Sequence, residues 1–94
     1  MQFLVLSRRR TEQFSDADFD LLVPDEAAQA RHLYKIGFTR QIWHRGDRPG
    51  ACQIVEARDE SEVRKKLATL PLAKAAMLDF EIIPLKPYAG FISL

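Results

Sequence analysis

Cysteine, glycine, histidine and net charge are all scarce in this chain, which has one cysteine, four glycines, two histidines and a formal charge of +1 in 94 residues. A lone Cys52 excludes an internal disulfide and any multi-cysteine metal centre, and fits a cytoplasmic protein. The few glycines form neither G-x-G-x-x-G nor the P-loop pattern, so a dinucleotide or triphosphate cradle is not expected. His32 and His44 have no nearby residue whose spacing demands a shared metal, and no metal or other cofactor is expected. A nearly balanced charge gives no general attraction to nucleic acid or to an anionic membrane.

Long hydrophobic runs are missing too. No apolar stretch approaches the roughly 20 residues that span a bilayer. The apolar start, Gln2 to Ser7, is short and is followed rather than preceded by Arg8-Arg9-Arg10, so it reads as a strand and not as a signal peptide. The three arginines are the one basic cluster, and they read as part of a polar, solvated loop reaching to Asp18. No repeat, low-complexity tract or linker divides the chain, so residues 1–94 are expected to form one domain.

What is present is an ordered series of apolar patterns. Phe3 and Val5 against Leu4 and Leu6 give strand one two apolar faces, as in a central strand covered on both sides. Phe19 to Val23 is an apolar cluster with no assigned structure. Pro24-Asp25-Glu26 looks like a helix start, because proline suits the first helical position and carboxylates complement the exposed amides there. Ala27, Ala30 and Leu33 or Tyr34 continue at helical spacing, and Gly37 suits the position just past the helix.

Thr39 to Arg45 and Gly50 to Ala57 read as two strands joined by the turn-forming Gly46-Asp47-Arg48-Pro49. Asp59 and Glu62 open a second helix with Val63, Leu67 and Leu70 on one stripe, ending before Pro71. A short helical piece over 72–76 and a strand over 77–85 follow, then a tail that stays apolar through Tyr88, Phe91, Ile92 and Leu94. The order β-α-β-β-α-β predicts an α+β, ferredoxin-like domain: a four-stranded antiparallel sheet with two helices on one face. Its other face would carry residues such as Ile42 or Trp43, Ile54 or Val55, and Phe80 or Ile82, too apolar a set for water. A second copy placed sheet to sheet is the expected cover, making a homodimer or a larger homo-oligomer.

The densest set of chemical groups is Arg40 to Arg48. Strict alternation from Arg40 puts Arg40, Ile42 and His44 on one face and Gln41, Trp43 and Arg45 on the other. Arg40 and His44 would then lie about 13 Å apart along the strand, able to hold opposite ends of a small organic acid while His44 exchanges a proton. An edge strand carrying charges against aggregation is the competing account. Trp43 suits a ligand wall or an interface, and Glu26 suits a general base or simply a favourable helix start. Asp79 and Glu81 read as surface charge, and Cys52 as a small buried hydrophobe rather than a nucleophile. An RNA-recognition module has the same element order but needs exposed aromatics on its third strand, where this chain has Ala51 to Ala57.

Asp25-Glu26 opening the helix, Ala30 and Leu33 within it, and Gly37-x-x-Arg40-x-x-Trp43 resemble the first half of the muconolactone isomerase family. Leu70-Pro71-Leu72, Met77 and Asp79-Phe80-Glu81-Ile82 resemble its second half. The resemblance implies a dimeric α/β barrel and a cofactor-independent proton shift within an unsaturated lactone acid during aromatic catabolism. It implies Arg40 as partner of the substrate carboxylate, Trp43 beside it, and Glu26 or His44 as the proton carrier. Two segments depart from the family pattern, Ala73 to Ala76 and the stretch from Arg8 to Asp18. A non-catalytic small-molecule binding or oligomerisation module of the same fold is the alternative.

Overall fold

The computed structural model describes residues 1–91, so Ile92 and Leu94 of the apolar tail lie outside the described residues. In chain order the elements are β1 (Gln2–Arg9), α1 (Asp16–Lys35), β2 (Thr39–His44), β3 (Ala51–Glu56), α2 (Glu60–Leu67), α3 (Pro71–Lys74) and β4 (Leu78–Pro84). A 3₁₀ turn, Ala89–Phe91, closes the described chain. The four strands form one sheet in the order β2-β3-β1-β4, and every neighbouring pair is antiparallel. This is the ferredoxin-like arrangement that the element order predicts.

The registers sort the strand residues into two faces. Phe3, Val5 and Ser7 align with Val55, Gln53 and the residues before it on β3, and with Pro84, Ile82 and Phe80 on β4. This is the face under the helices, and Phe3, Val5, Val55, Ser7 and Gln53 are all buried there. Leu4, Leu6, Cys52, Ile54 and Ile83 point the other way and remain partly exposed. Phe80 and Ile82 both pack against the helix-side core, so Ile83 is the apolar residue that β4 gives to the open face.

Helix α1 is longer than the Pro24 start predicts. It begins at Asp16, where the Ser15 hydroxyl accepts from the Asp18 amide and the Asp18 carboxylate accepts from the Ser15 amide. This reciprocal cap satisfies two otherwise open amides, and the cluster Phe19 to Val23 becomes helical. Pro24 sits inside the helix and leaves the Asp20 carbonyl without its usual donor. Asp20 and Pro24 are both exposed, so that carbonyl can be satisfied by solvent and the helix continues.

The far end of α1 closes as Gly37 predicts. Gly37 has φ +84°, its amide donates to the Tyr34 carbonyl, and the Phe38 amide donates back to the Leu33 carbonyl. Leu33 and Phe38, joined by this cap, are both buried in the main core with Phe3, Val5, Val55, Val63, Leu67 and Leu70. A second, smaller core of Phe19, Leu72 and Met77, flanked by Phe14, Leu22 and Leu78, lies toward the other end of α1.

The arginine run is not a loop. Arg8 and Arg9 belong to β1, which continues past Ser7 in register with Asp79 and Leu78 of β4. The β2–β3 connection is drawn against this end of β1: the Arg9 amide donates to the Pro49 carbonyl at 3.0 Å. Gly50 has φ +151°, and a Cβ there would run into the Ser7 carbonyl, so only glycine fits this approach. Beyond β4, Tyr88 and Phe91 are largely exposed and stack edge to face on each other, with ring centroids 5.0 Å apart.

Candidate active site

Between the middle of α1 and the sheet lies a cleft of about 690 Å³, large enough for a small organic molecule. Val23, Glu26, Ala27 and Ala30 of α1 form one wall. Ser7 and Arg9 of β1, Ile42 and His44 of β2, and residues 45–50 of the hairpin form the other walls, with Leu72 and Leu78 at the end. A small inner pocket of about 50 Å³ continues from it toward Thr39, Gln53, Leu70 and Phe80, and Glu26 borders both spaces. The exposed wall surface is mostly apolar, and the polar groups on it are Ser7, Arg9, Glu26, His44 and the hairpin residues Arg45, Asp47 and Arg48.

The helix geometry explains why that carboxylate is inside. Phe19, Leu22, Glu26, Ala30 and Leu33 follow spacings of three and four, so they form one inward stripe of α1, and Glu26 is its charged member. The Glu26 Oε1 accepts the Leu72 amide at 2.9 Å, the amide of the second residue of α3. Burial pushes its carboxyl above the ordinary value of 4.5; the Leu72 hydrogen bond and the positive charge of Arg9 oppose that rise without cancelling it. A carboxylate made more basic by lost solvation, with one oxygen fixed and the other open to a cleft, is suited to taking a proton.

His44 also lines the cleft, on the same sheet face as Ile42 and opposite Ala51. Ser7 is held there by its own strand neighbours, since the Ala51 amide donates to its hydroxyl at 2.9 Å. Thr39 and Gln53 are buried side by side, with the Thr39 hydroxyl donating to Gln53 Oε1 at 3.3 Å.

Arg40 and Trp43 do not line this cleft. The β2 register shifts between Thr39 and Gln41, so Arg40 is the extra residue of a bulge and simple alternation fails across it. Its Nε donates to the Gly37 carbonyl at 3.0 Å, on the exposed surface. Trp43 pairs with Cys52 on the open sheet face and is 52% exposed. The cations that do reach the cleft are Arg9, Arg45 and Arg48. Sequence reasoning missed Arg9 because the arginine run looked like a loop. Its position two residues beyond Ser7 on the same strand face was the available signal.

Among the described residues no group of three or more His, Cys, Asp or Glu side chains converges as a metal site. No helix among them is long and apolar enough to cross a membrane.

A crystal structure of muconolactone isomerase aligns with this chain at a TM-score of 0.78 and 21% identity, covering 100% of this chain and 97% of the other. A 5-chloro-2-hydroxyhydroquinone dehydrochlorinase from Burkholderia phenoliruptrix AC1100, in complex with 2,5-dihydroxybenzoquinone, aligns at 0.70 and 18% identity, covering 96% and 98%. At these identities the likenesses establish the fold. No curated protein matches the sequence significantly. The family model described as muconolactone delta-isomerase matches residues 1–90, and the chain belongs to that family.

Proposed function

We propose that this member of the muconolactone delta-isomerase family is a cofactor-independent isomerase that shifts a proton within a small acidic or lactone-type molecule bound in the α1 cleft. The observation that carries the reading is Glu26: a half-buried carboxylate in an apolar stripe, one oxygen held by the Leu72 amide, its proton affinity raised by burial.

The reaction needs little else. Glu26 Oε2 takes a proton from a carbon made acidic by a carbonyl conjugated to it through the existing double bond. The electron pair left behind forms a new C=C bond and the existing double bond relays charge onto the carbonyl oxygen. Return of the proton to the far carbon completes the shift, from Glu26 itself or from His44 across the cleft. Donors and acceptors balance without an external oxidant or reductant. The apolar walls keep Glu26 poorly solvated, and so basic, until substrate arrives.

The open sheet face supports a second part of the reading. Leu4, Leu6, Ile54, Ile83 and Trp43 together make an apolar surface, and a second copy laid on it, sheet to sheet, would bury them. In that assembly Trp43 is an interface residue.

Proton exchange into muconolactone and related lactone acids in deuterated buffer, followed by NMR, tests the chemistry. The expected outcome is exchange by the native protein and a loss of about a hundredfold or more in Glu26→Gln, which keeps the Leu72 contact but cannot take the proton. Undiminished exchange in Glu26→Gln would remove Glu26 as base. Binding without exchange across the acids would favour a non-catalytic binding module.

A further inference from the structure

The three consecutive arginines have three different fates. Arg8, on the open face, is held by Glu12 at 2.8 Å and by Asp79. Arg10, at the end of the strand, donates from Nη1 to the Ala76 carbonyl at 3.0 Å and has its Nε 3.9 Å from Asp79. Arg9 points between them to the helix side and lines the cleft. Its guanidinium carbon sits 5.0 Å from the centroid of the Phe19 ring. Among the described residues no carboxylate lies within ion-pair distance of it and no acceptor takes its side-chain N–H groups.

The remaining cations of the cleft are already engaged. Arg45 grips Asp47 with two parallel bonds of 2.9 and 2.8 Å, and Arg48 lies 3.7 Å from the same carboxylate. A ligand anion at either would compete with Asp47. At Arg9 it would compete only with water.

Phe19 gives Arg9 its second property. The ring is buried, with Phe14 edge-on at 6.2 Å, so it is a fixed support. A guanidinium resting on a ring face is attracted by it yet spends none of its five N–H donors there. The donors stay available, and the side chain has already lost much of the freedom that binding would otherwise cost. Arg9 and Glu26 line the same cleft, one presenting unused donors and the other a proton acceptor.

We infer that Arg9 is the anion anchor of this cleft: it takes the carboxylate of a small unsaturated acid and so turns the reacting carbon toward Glu26. This rests on the isomerase reading for the role of Glu26, but the anchoring itself is a binding property. It also offsets a repulsion, since an acidic ligand must enter beside an ionised Glu26. Arg40, bonded to the Gly37 carbonyl at the surface bulge, has no part in it.

Calorimetric titration separates the two claims when muconolactone and its methyl ester are bound to the Glu26→Gln protein, which does not consume them. The expected result is that adding Arg9→Gln weakens the acid by about tenfold or more and leaves the ester unchanged, because a bidentate charge-assisted contact is lost only for the acid. Arg9→Lys should recover part of the loss, and Arg40→Ala should change neither ligand. Equal binding of acid and ester, no binding of the acid, or an acid affinity indifferent to Arg9→Gln would each overturn the anchor. If Arg9→Gln leaves kcat/KM for proton exchange unchanged, the anchor fails while the isomerase reading stands. If the acid binds through Arg9 but exchanges no proton, the anchor stands and the isomerase reading fails.

Discussion

The two faces of the sheet are built from alternating residues of the same strands, yet they have finished different amounts of their work. On the helix side, Phe3, Val5 and Val55 are 0–2% exposed, and the buried polar residues are Ser7, Thr39 and Gln53. On the other side, Leu4, Leu6, Ile54 and Ile83 are left partly exposed and Trp43 more than half exposed. A single chain therefore completes a core and a cleft from one face, and leaves the second face partly exposed. On the proposed reading, the first face carries stability and the second carries association.

The strongest way to break that division is to truncate adjacent residues of β1. Phe3→Ala removes a fully buried ring from the main core and should cost about 3–5 kcal/mol in urea unfolding, independent of protein concentration. Leu4→Ala, one residue along on the open face, should cost less. Its cost should grow with protein concentration, because a second copy would cover the part of the side chain that the single chain leaves exposed. Equal, concentration-independent losses would show that nothing covers the open face.

A charge in the middle of that face sharpens the same point. Leu4→Arg should weaken self-association by about a hundredfold in sedimentation analysis, since a guanidinium flanked by Ile54 and Ile83 would be buried unpaired against the partner. The helix side should be unaffected, leaving the far-ultraviolet circular dichroism unchanged. A native protein that is monomeric at micromolar concentration would defeat the assignment without any variant.

The element order was legible because hydrophobic periodicity and turn residues report it directly. The ends of the elements were not. Pro24 carried a strong start signal, yet Ser15 and Asp18 three residues apart form the real cap, and an exposed proline is tolerated when water can take the freed carbonyl. That error left Glu26, already a candidate base, looking like an ordinary first-turn carboxylate. Only with α1 running from Asp16 does Glu26 fall on the stripe of Phe19, Leu22, Ala30 and Leu33, rather than in a first turn where it would merely favour the helix dipole. Arg40 was misplaced for another reason: a bulge adds one residue without a composition signal, and alternation counted through it gives the wrong face. Arg9 needed the reverse correction, since polar residues at the end of a strand look like a loop until a neighbouring strand is known to pair with them.

Acidity gives a smaller and more selective effect on the helix side. Burial raises the folded-state proton affinity of Glu26, so its contribution to stability is fully present below the ordinary value of 4.5 and is lost as pH rises through the higher folded value. Glu26→Gln lacks this dependence. The native protein should therefore lose urea resistance relative to Glu26→Gln as pH rises from 4 toward neutrality, while activity on the acid side rises over the same range as Glu26 becomes a base. A constant difference between the two proteins across that range would mean that burial is not felt by the carboxylate. The open face should be silent here, with self-association of the two proteins the same at each pH.

The smallest effect should come from Ala76, just beyond the helix that supplies the Leu72 amide to Glu26. Its φ is +58°, a left-handed conformation forced by the way α3 ends: the Met77 amide returns to the Leu72 carbonyl and the Ala76 amide to the Ala73 carbonyl. The same closure at the end of α1 uses Gly37, which adopts positive φ without a Cβ penalty. Alanine pays that penalty, while glycine loses more freedom on folding, so the two terms partly cancel. Ala76→Gly should raise stability by about 0.5–1 kcal/mol, seen as a higher urea midpoint at unchanged slope. Because the site lies at the helix end of the cleft and away from the open face, the self-association constant should not move. A lower midpoint would show that unfolded-state entropy outweighs the left-handed strain. A changed association constant would instead show that the two faces are coupled through β4, which begins two residues after Ala76.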